Sequence, residues 1–151
     1  MRIQSALRSL CIGALLTMAT ADAQTTSKKF INVPSERKKP PFSDAVLAGE
    51  TLYLSGHIGL DKDNKVPADA EAEARLVLQK FEATLKAAGM GLEDLVYVQV
   101  FCSDVAHFDT WNKVYRGLFK EGQYPARAFL GSGKLLFDAR FEIQGIAVKK
   151  K

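Results

Sequence analysis

Between positions 69 and 88 the apolar residues Ala74, Leu78, Phe81, Leu85 and Ala88 recur at steps of four, three, four and three. That is the period of one buried helical face, and Gly89 follows where a helix commonly takes a left-handed residue. A second stripe, Phe108, Trp111, Tyr115 and Leu118, steps by three, four and three; Asp104 stands in front as a cap and Gly122 lies beyond its end. Other apolar runs have the length and residue types of strands: 42–48 and 51–55, parted by Gly49-Glu50 as a hairpin turn, and 95–102 (LVYVQVFC), apolar on both faces. Residues 126–130 and 140–148 are the closing strands, with Gly131-Ser132-Gly133 turning between them, and 60–67 is a polar loop.

The resulting order is strand, strand, helix, strand, helix, strand, strand. Each helix shows a single apolar stripe, so the arrangement that buries both is an α+β fold: a mixed sheet with two helices on one face. The other face also carries apolar residues. Left in water these would form a large apolar patch, so a subunit interface is expected there.

The 151 residues, 47% hydrophobic and 25% charged, suit one globular domain. Net charge is +4, but the basic residues are scattered, with runs only at 37–39 and 149–151, and no nucleic-acid partner is expected. Residues 1–23 form a signal-peptide pattern: Arg2 and Arg8, an apolar stretch over 10–19, and Ala21-Asp22-Ala23 before Gln24. The apolar stretch is about half the ~20 residues a bilayer span requires, so the cleaved protein is expected to have no membrane anchor and to be periplasmic or secreted. The competing reading is an N-terminal helix retained in a cytoplasmic protein. Residues 24–39, polar and containing Pro34, form an extended arm, part of which can add an edge strand, and 40–151 form the domain. After cleavage Cys102 is the one cysteine, so no intrachain disulfide forms, and with His57 and His107 it shows no metal-ligand spacing.

Nucleotide-binding and triad-hydrolase signatures are absent. His57, after Ser55-Gly56 at a strand end, fits a pocket position or an ordinary loop histidine; His107 fits a solvent-facing position, and Trp111 and Tyr115 fit the core. The pair that bears on chemistry is Arg127 and Glu142. In a hairpin centred between Lys134 and Leu135 they stand opposite each other on one face. On an open sheet this is an ordinary cross-strand ion pair worth under ~1 kcal/mol. In a concave site, a guanidinium fork holds a carboxylate while the glutamate orients a water, and the arginine lowers the glutamate's pKa.

The segments PPFSDAV (40–46), LYLSGHIGLD (52–61), the helix over 74–89, LVYVQVFCSD (95–104), YPARAF (124–129) and FEIQGIAV (141–148) together resemble the Rid, or YjgF-type, family of reactive-intermediate enamine/imine deaminases. The likeness runs in order from about Pro40 to Lys149. It implies a chorismate-mutase-like mixed sheet backed by two helices, assembled as a homotrimer with the other sheet face inward and pockets at the subunit junctions. It further implies that Arg127, the arginine of the PAR motif, holds the substrate carboxylate. Glu142 would position the hydrolytic water, Ser55, the serine of the SG motif, would be a third catalytic residue, and Gly56 would border the ligand with its backbone. Three positions depart from the family's pattern. Phe42 stands where a tyrosine is usual, Phe129 where a small residue is common, and His57 where glutamine is frequent; all three are expected to line the substrate pocket.

The expected activity is hydrolysis of a 2-imino or enamine acid to a 2-keto acid and ammonia. The imine carbon is already electrophilic, so neither a metal nor an organic cofactor is implied. A second expectation, of a different class, is a non-catalytic trimer that binds small carboxylates or acts on unfolded clients in a chaperone-like way; Phe42 and Phe129 favour it. RNA cleavage, attributed to some relatives, lacks a basic stripe and an aromatic stacking platform here.

Overall fold

The computed structural model describes residues 27–34 and 40–150. The expected leader at 1–23, and the arm outside 27–34, lie beyond the described residues. Eight elements follow: β1 (Lys28–Ile31), β2 (Ala45–Ala48), β3 (Thr51–Ile58), α1 (Ala70–Ala87), β4 (Leu95–Cys102), α2 (Phe108–Arg116), β5 (Ala126–Gly131) and β6 (Phe141–Val148). They build one six-stranded sheet of order β1-β2-β3-β6-β4-β5, antiparallel throughout except for the β4–β5 pair. The fold is the expected α+β mixed sheet with two helices.

The first helix follows its sequence signals. The Asp69 side chain accepts from Ala72 N at 2.7 Å, satisfying one of the amides a helix start leaves open. Gly89 takes φ +74° just past the end. The buried face carries Ala74, Val77, Leu78, Phe81 and Leu85. The second helix is shorter than its apolar stripe. Asp104 caps a 3₁₀ turn at Val105–His107, α2 ends at Arg116 with Gly117 as its C-cap, and Leu118 falls outside it. Trp111 and Tyr115 are buried as expected, whereas His107 is partly covered and meets the Phe141 ring edge-on at 5.9 Å.

The closing strands differ from expectation. Residues 126–131 and 141–148 do not form a hairpin: β5 pairs in parallel with β4, and β6 lies on the other side of β4, between it and β3. The reason is the helix that precedes β5. A strand that returns through a helical crossover runs parallel to the strand it left, and β4–α2–β5 is such a unit. β5 therefore becomes an edge, and the 132–140 connection carries the chain past the end of β4 to the other side.

A buried carboxylate fixes the start of β6. Glu73 on α1 is fully buried and accepts from the backbone amides of Arg140 (2.7 Å) and Phe141 (3.1 Å) and from the Arg140 guanidinium (2.8 Å). The same guanidinium donates to the carbonyls of Pro67 and Ala68, tying the loop before α1 to the strand that carries Glu142.

Candidate functional site

The register of three strands decides where the two candidate groups lie. Val98 on β4 is paired with both Arg127 and Gly145, and Phe101 with both Leu130 and Glu142. Partners across a ladder share a face, and positions an odd number apart point to opposite faces. Arg127 thus lies on the helix side with buried Val98. Glu142, between buried Phe141 and Ile143, lies on the open side. The expected cross-strand Arg127–Glu142 pair is not formed, because β4 separates the two strands and the pleat turns the side chains apart.

Arg127 is held by α2. Its Nη2 donates to Asn112 Oδ1 at 2.7 Å, and the guanidinium carbon lies 4.7 Å from the centre of the Tyr115 ring and about 6 Å from those of Phe108 and Phe129. A guanidinium so placed has a fixed plane, with further N–H donors left to bind a ligand. Burial lowers its pKa, partly offset by the adjacent Tyr115. The Tyr115 phenol is pushed up to about 12 by burial, against the pull of Arg127, and its hydroxyl has no hydrogen-bond partner among the described residues. An open cleft of about 620 Å³ lies over this cluster, lined by Phe108, Asn112, Tyr115, Arg116, Glu121, Tyr124, Pro125 and Arg127.

Glu142 belongs to a second cluster on the other face. The β3–β6 ladder slips between Leu54 and His57, and this bulge brings the backbone of Gly56 against the carboxylate: a Cβ at position 56 would overlap Glu142 Oε1. Glycine is required there by the close approach, since any side chain would displace the glutamate. Ser55 donates its hydroxyl to Ser43 O at 2.7 Å, which holds the segment carrying Phe42. Phe42 itself is 58% exposed. Burial raises the Glu142 pKa. That reverses the expected lowering by Arg127, whose charge is on the far side of the sheet.

Two further expected pocket residues are placed differently from one another. His57 points to the helix side: its Nδ1 is 2.7 Å from Ser55 O, its Nε2 2.8 Å from Thr84 Oγ1, and its ring meets Phe81 edge-on. Its ring therefore faces away from Glu142 and braces the bulge against α1. Phe129 sits near Arg127, with ring centroids 5.0 Å from Phe108 and 6.5 Å from Trp111. Asn112 is the residue that sequence reasoning missed. Its position beside Trp111 is one of several polar ones on α2, and local spacing does not mark it.

In a single chain, then, Arg127 and Glu142 belong to two separate clusters on opposite faces of the sheet. Among the described residues no cluster of three or more His, Cys, Asp or Glu is positioned to hold a metal.

Residues 36–149 match the family described as endoribonuclease L-PSP. A fruit-fly protein (Drosophila melanogaster) named RutC family protein UK114 is 37% identical over 82% of this chain and 91% of its own length. The human protein named 2-iminobutanoate/2-iminopropanoate deaminase is 35% identical over 72% of this chain and 80% of its own. Among solved structures, Escherichia coli TdcF with bound serine superposes with a TM-score of 0.74 and 32% identity, covering 81% of this chain and 99% of that one. With this fold, these motifs and these relatives, the chain belongs to the endoribonuclease L-PSP family, the Rid or YjgF-type family that its sequence resembles.

Proposed function

We propose that the protein hydrolyses small 2-imino or enamine acids to 2-keto acids and ammonia, in sites completed between copies of the chain. The observation that carries this reading is the split of the two half-sites. Arg127, oriented by Asn112 in an open cleft, is suited to bind a carboxylate through two parallel N–H bonds. Glu142, a half-buried carboxylate with a raised pKa, is suited to take a proton from water near neutral pH. Neither reaches the other within one chain. Because β5 is an edge strand, a second copy packed along that edge with its own open face turned toward it brings its Glu142 to the first copy's Arg127.

In that site the substrate carboxylate lies on Arg127. A water polarised by Glu142 adds to the imine carbon while the imine nitrogen takes up a proton. The resulting carbinolamine loses its amine as ammonia, and the carbonyl of the keto acid forms. The name of the human relative supports the reaction class, and the serine bound to TdcF supports a small amino-acid-like ligand.

The open face supports a homotrimer turned inward on it: Tyr53, Val96 and Leu130 are exposed there, and Gln99 and Gln144 hydrogen-bond to each other. Light scattering on the protein lacking residues 1–23 is expected to give a trimer. The leader pattern supports export, and mass spectrometry of protein from its host is expected to find Gln24 at the N-terminus. The activity is tested by generating 2-iminopropanoate with an amino-acid oxidase and measuring ammonia release, which the protein should accelerate. The second reading, a non-catalytic carboxylate binder, is favoured by Phe42, which supplies no hydroxyl to polarise substrate or water; it predicts pyruvate binding without acceleration.

A further inference from the structure

We infer that the site prefers 2-imino acids with an aromatic side chain. This rests on the deaminase reading for its chemistry and on the cleft for its selectivity. Three rings line the cleft with Arg127: Phe108 and Tyr124 stand 42% and 44% exposed, and the guanidinium already lies against Tyr115. Exposed aromatic faces beside a fixed cation offer one end for a carboxylate and, next to it, a slot for a flat apolar group. Pro125 adds a rigid apolar surface beside Tyr124.

Size argues the same way. Clefts of roughly 300–1,000 Å³ suit ligands much larger than a three-carbon acid, and this one measures about 620 Å³. A phenyl group beside a carboxylate on Arg127 gains contact with Phe108 and Tyr124 that a pyruvate-sized ligand lacks. Phe129 is not part of the cleft lining: its ring meets Phe108 edge-on at 5.0 Å and lies 6.5 Å from Trp111. The remaining charged groups, Arg116 and Glu121, are exposed and of opposite sign, so they do not select for a second acidic group.

The test has two arms on the full mature protein. Calorimetry compares 3-phenylpyruvate with pyruvate, and ammonia release compares the imines made from phenylalanine and alanine. Phenylpyruvate should bind about tenfold tighter or better, and Tyr124→Ala, at an exposed position, should cut that ratio by about threefold or more. Binding of the two acids within about twofold of each other overturns the inference and leaves the deaminase reading standing. Preferential binding of phenylpyruvate without acceleration of either imine supports the cleft's selectivity and overturns the deaminase reading instead.

Discussion

Arg127 and Glu142 lie on opposite faces of the same sheet, one bound to Asn112 on α2 and the other pressed against the backbone of Gly56. The separation follows from parity along β4, where the partners of the two residues, Val98 and Phe101, are three positions apart. Their chemistry can therefore be tested one half-site at a time.

Arg127→Ala is expected to abolish measurable pyruvate binding, because it removes the carboxylate's cation. Arg127→Lys should restore little of it, since an ammonium has no planar fork and does not lie flat on Tyr115 in the same way. Asn112→Ala, which frees the guanidinium without removing its charge, should weaken binding by about tenfold, the scale of one charge-assisted hydrogen bond. Calorimetry orders the three; equal binding by wild type and Arg127→Ala contradicts the assignment.

Glu142→Gln is expected to lower kcat by about 10²–10³-fold while leaving pyruvate binding nearly unchanged, because the amide keeps the shape and loses the base. It should also stabilise the fold modestly. Burial raises the Glu142 pKa, so between the usual carboxylate value and the raised one the folded chain holds a proton that the unfolded chain releases. Stability falls as pH rises through that window, and the penalty is fully present above it. The variant should therefore melt slightly higher than wild type at about pH 7 and equally at about pH 3, a difference kept small by partial solvent access.

How far the sequence could be read differs between these two residues. The strong periodicities of α1 and β4, the Asp69 cap and the Gly89 terminus were legible because each is set by local spacing and backbone chemistry. The pairing of β5 was not. Gly131-Ser132-Gly133 has the residues of a hairpin turn, but the topology is decided by α2, whose crossover makes β5 parallel to β4 and lets β6 enter on the other side. Arg127 and Glu142 were recognisable as motif residues, while their faces depended on that long-range pairing. His57 was legible as a polar group at a strand end, but its direction was set by the bulge at Leu54–His57, which the sequence does not mark. Asn112 was hidden because it is one of several polar residues on α2 and nothing in its local spacing sets it apart from Asp109, Thr110 or Lys113.

Glu73→Ala should destabilise by about 3 kcal/mol or more, since it leaves the Arg140 guanidinium and two strand amides without their acceptor. Thermal melting should drop by about 10 °C. A change under a few degrees would mean that the clamp at the start of β6 is not a main support of the strand carrying Glu142.

Tyr115→Phe removes a buried hydroxyl with no partner among the described residues. Stability should be unchanged or rise by up to about 1 kcal/mol. Arg127 should keep its cation–π contact, so pyruvate binding should persist. A loss above about 1 kcal/mol, read by denaturant titration, would reveal a partner for the hydroxyl in the assembled protein.

The composite site is tested most directly by complementation. Arg127→Ala and Glu142→Gln chains, each inactive alone, are co-expressed with different tags and the mixed oligomers isolated. If each site takes Arg127 from one copy and Glu142 from another, every mixed trimer rebuilds one of its three sites, and imine hydrolysis should return to about one third of wild type. Mixed oligomers that stay as inactive as either parent would contradict a site shared between copies.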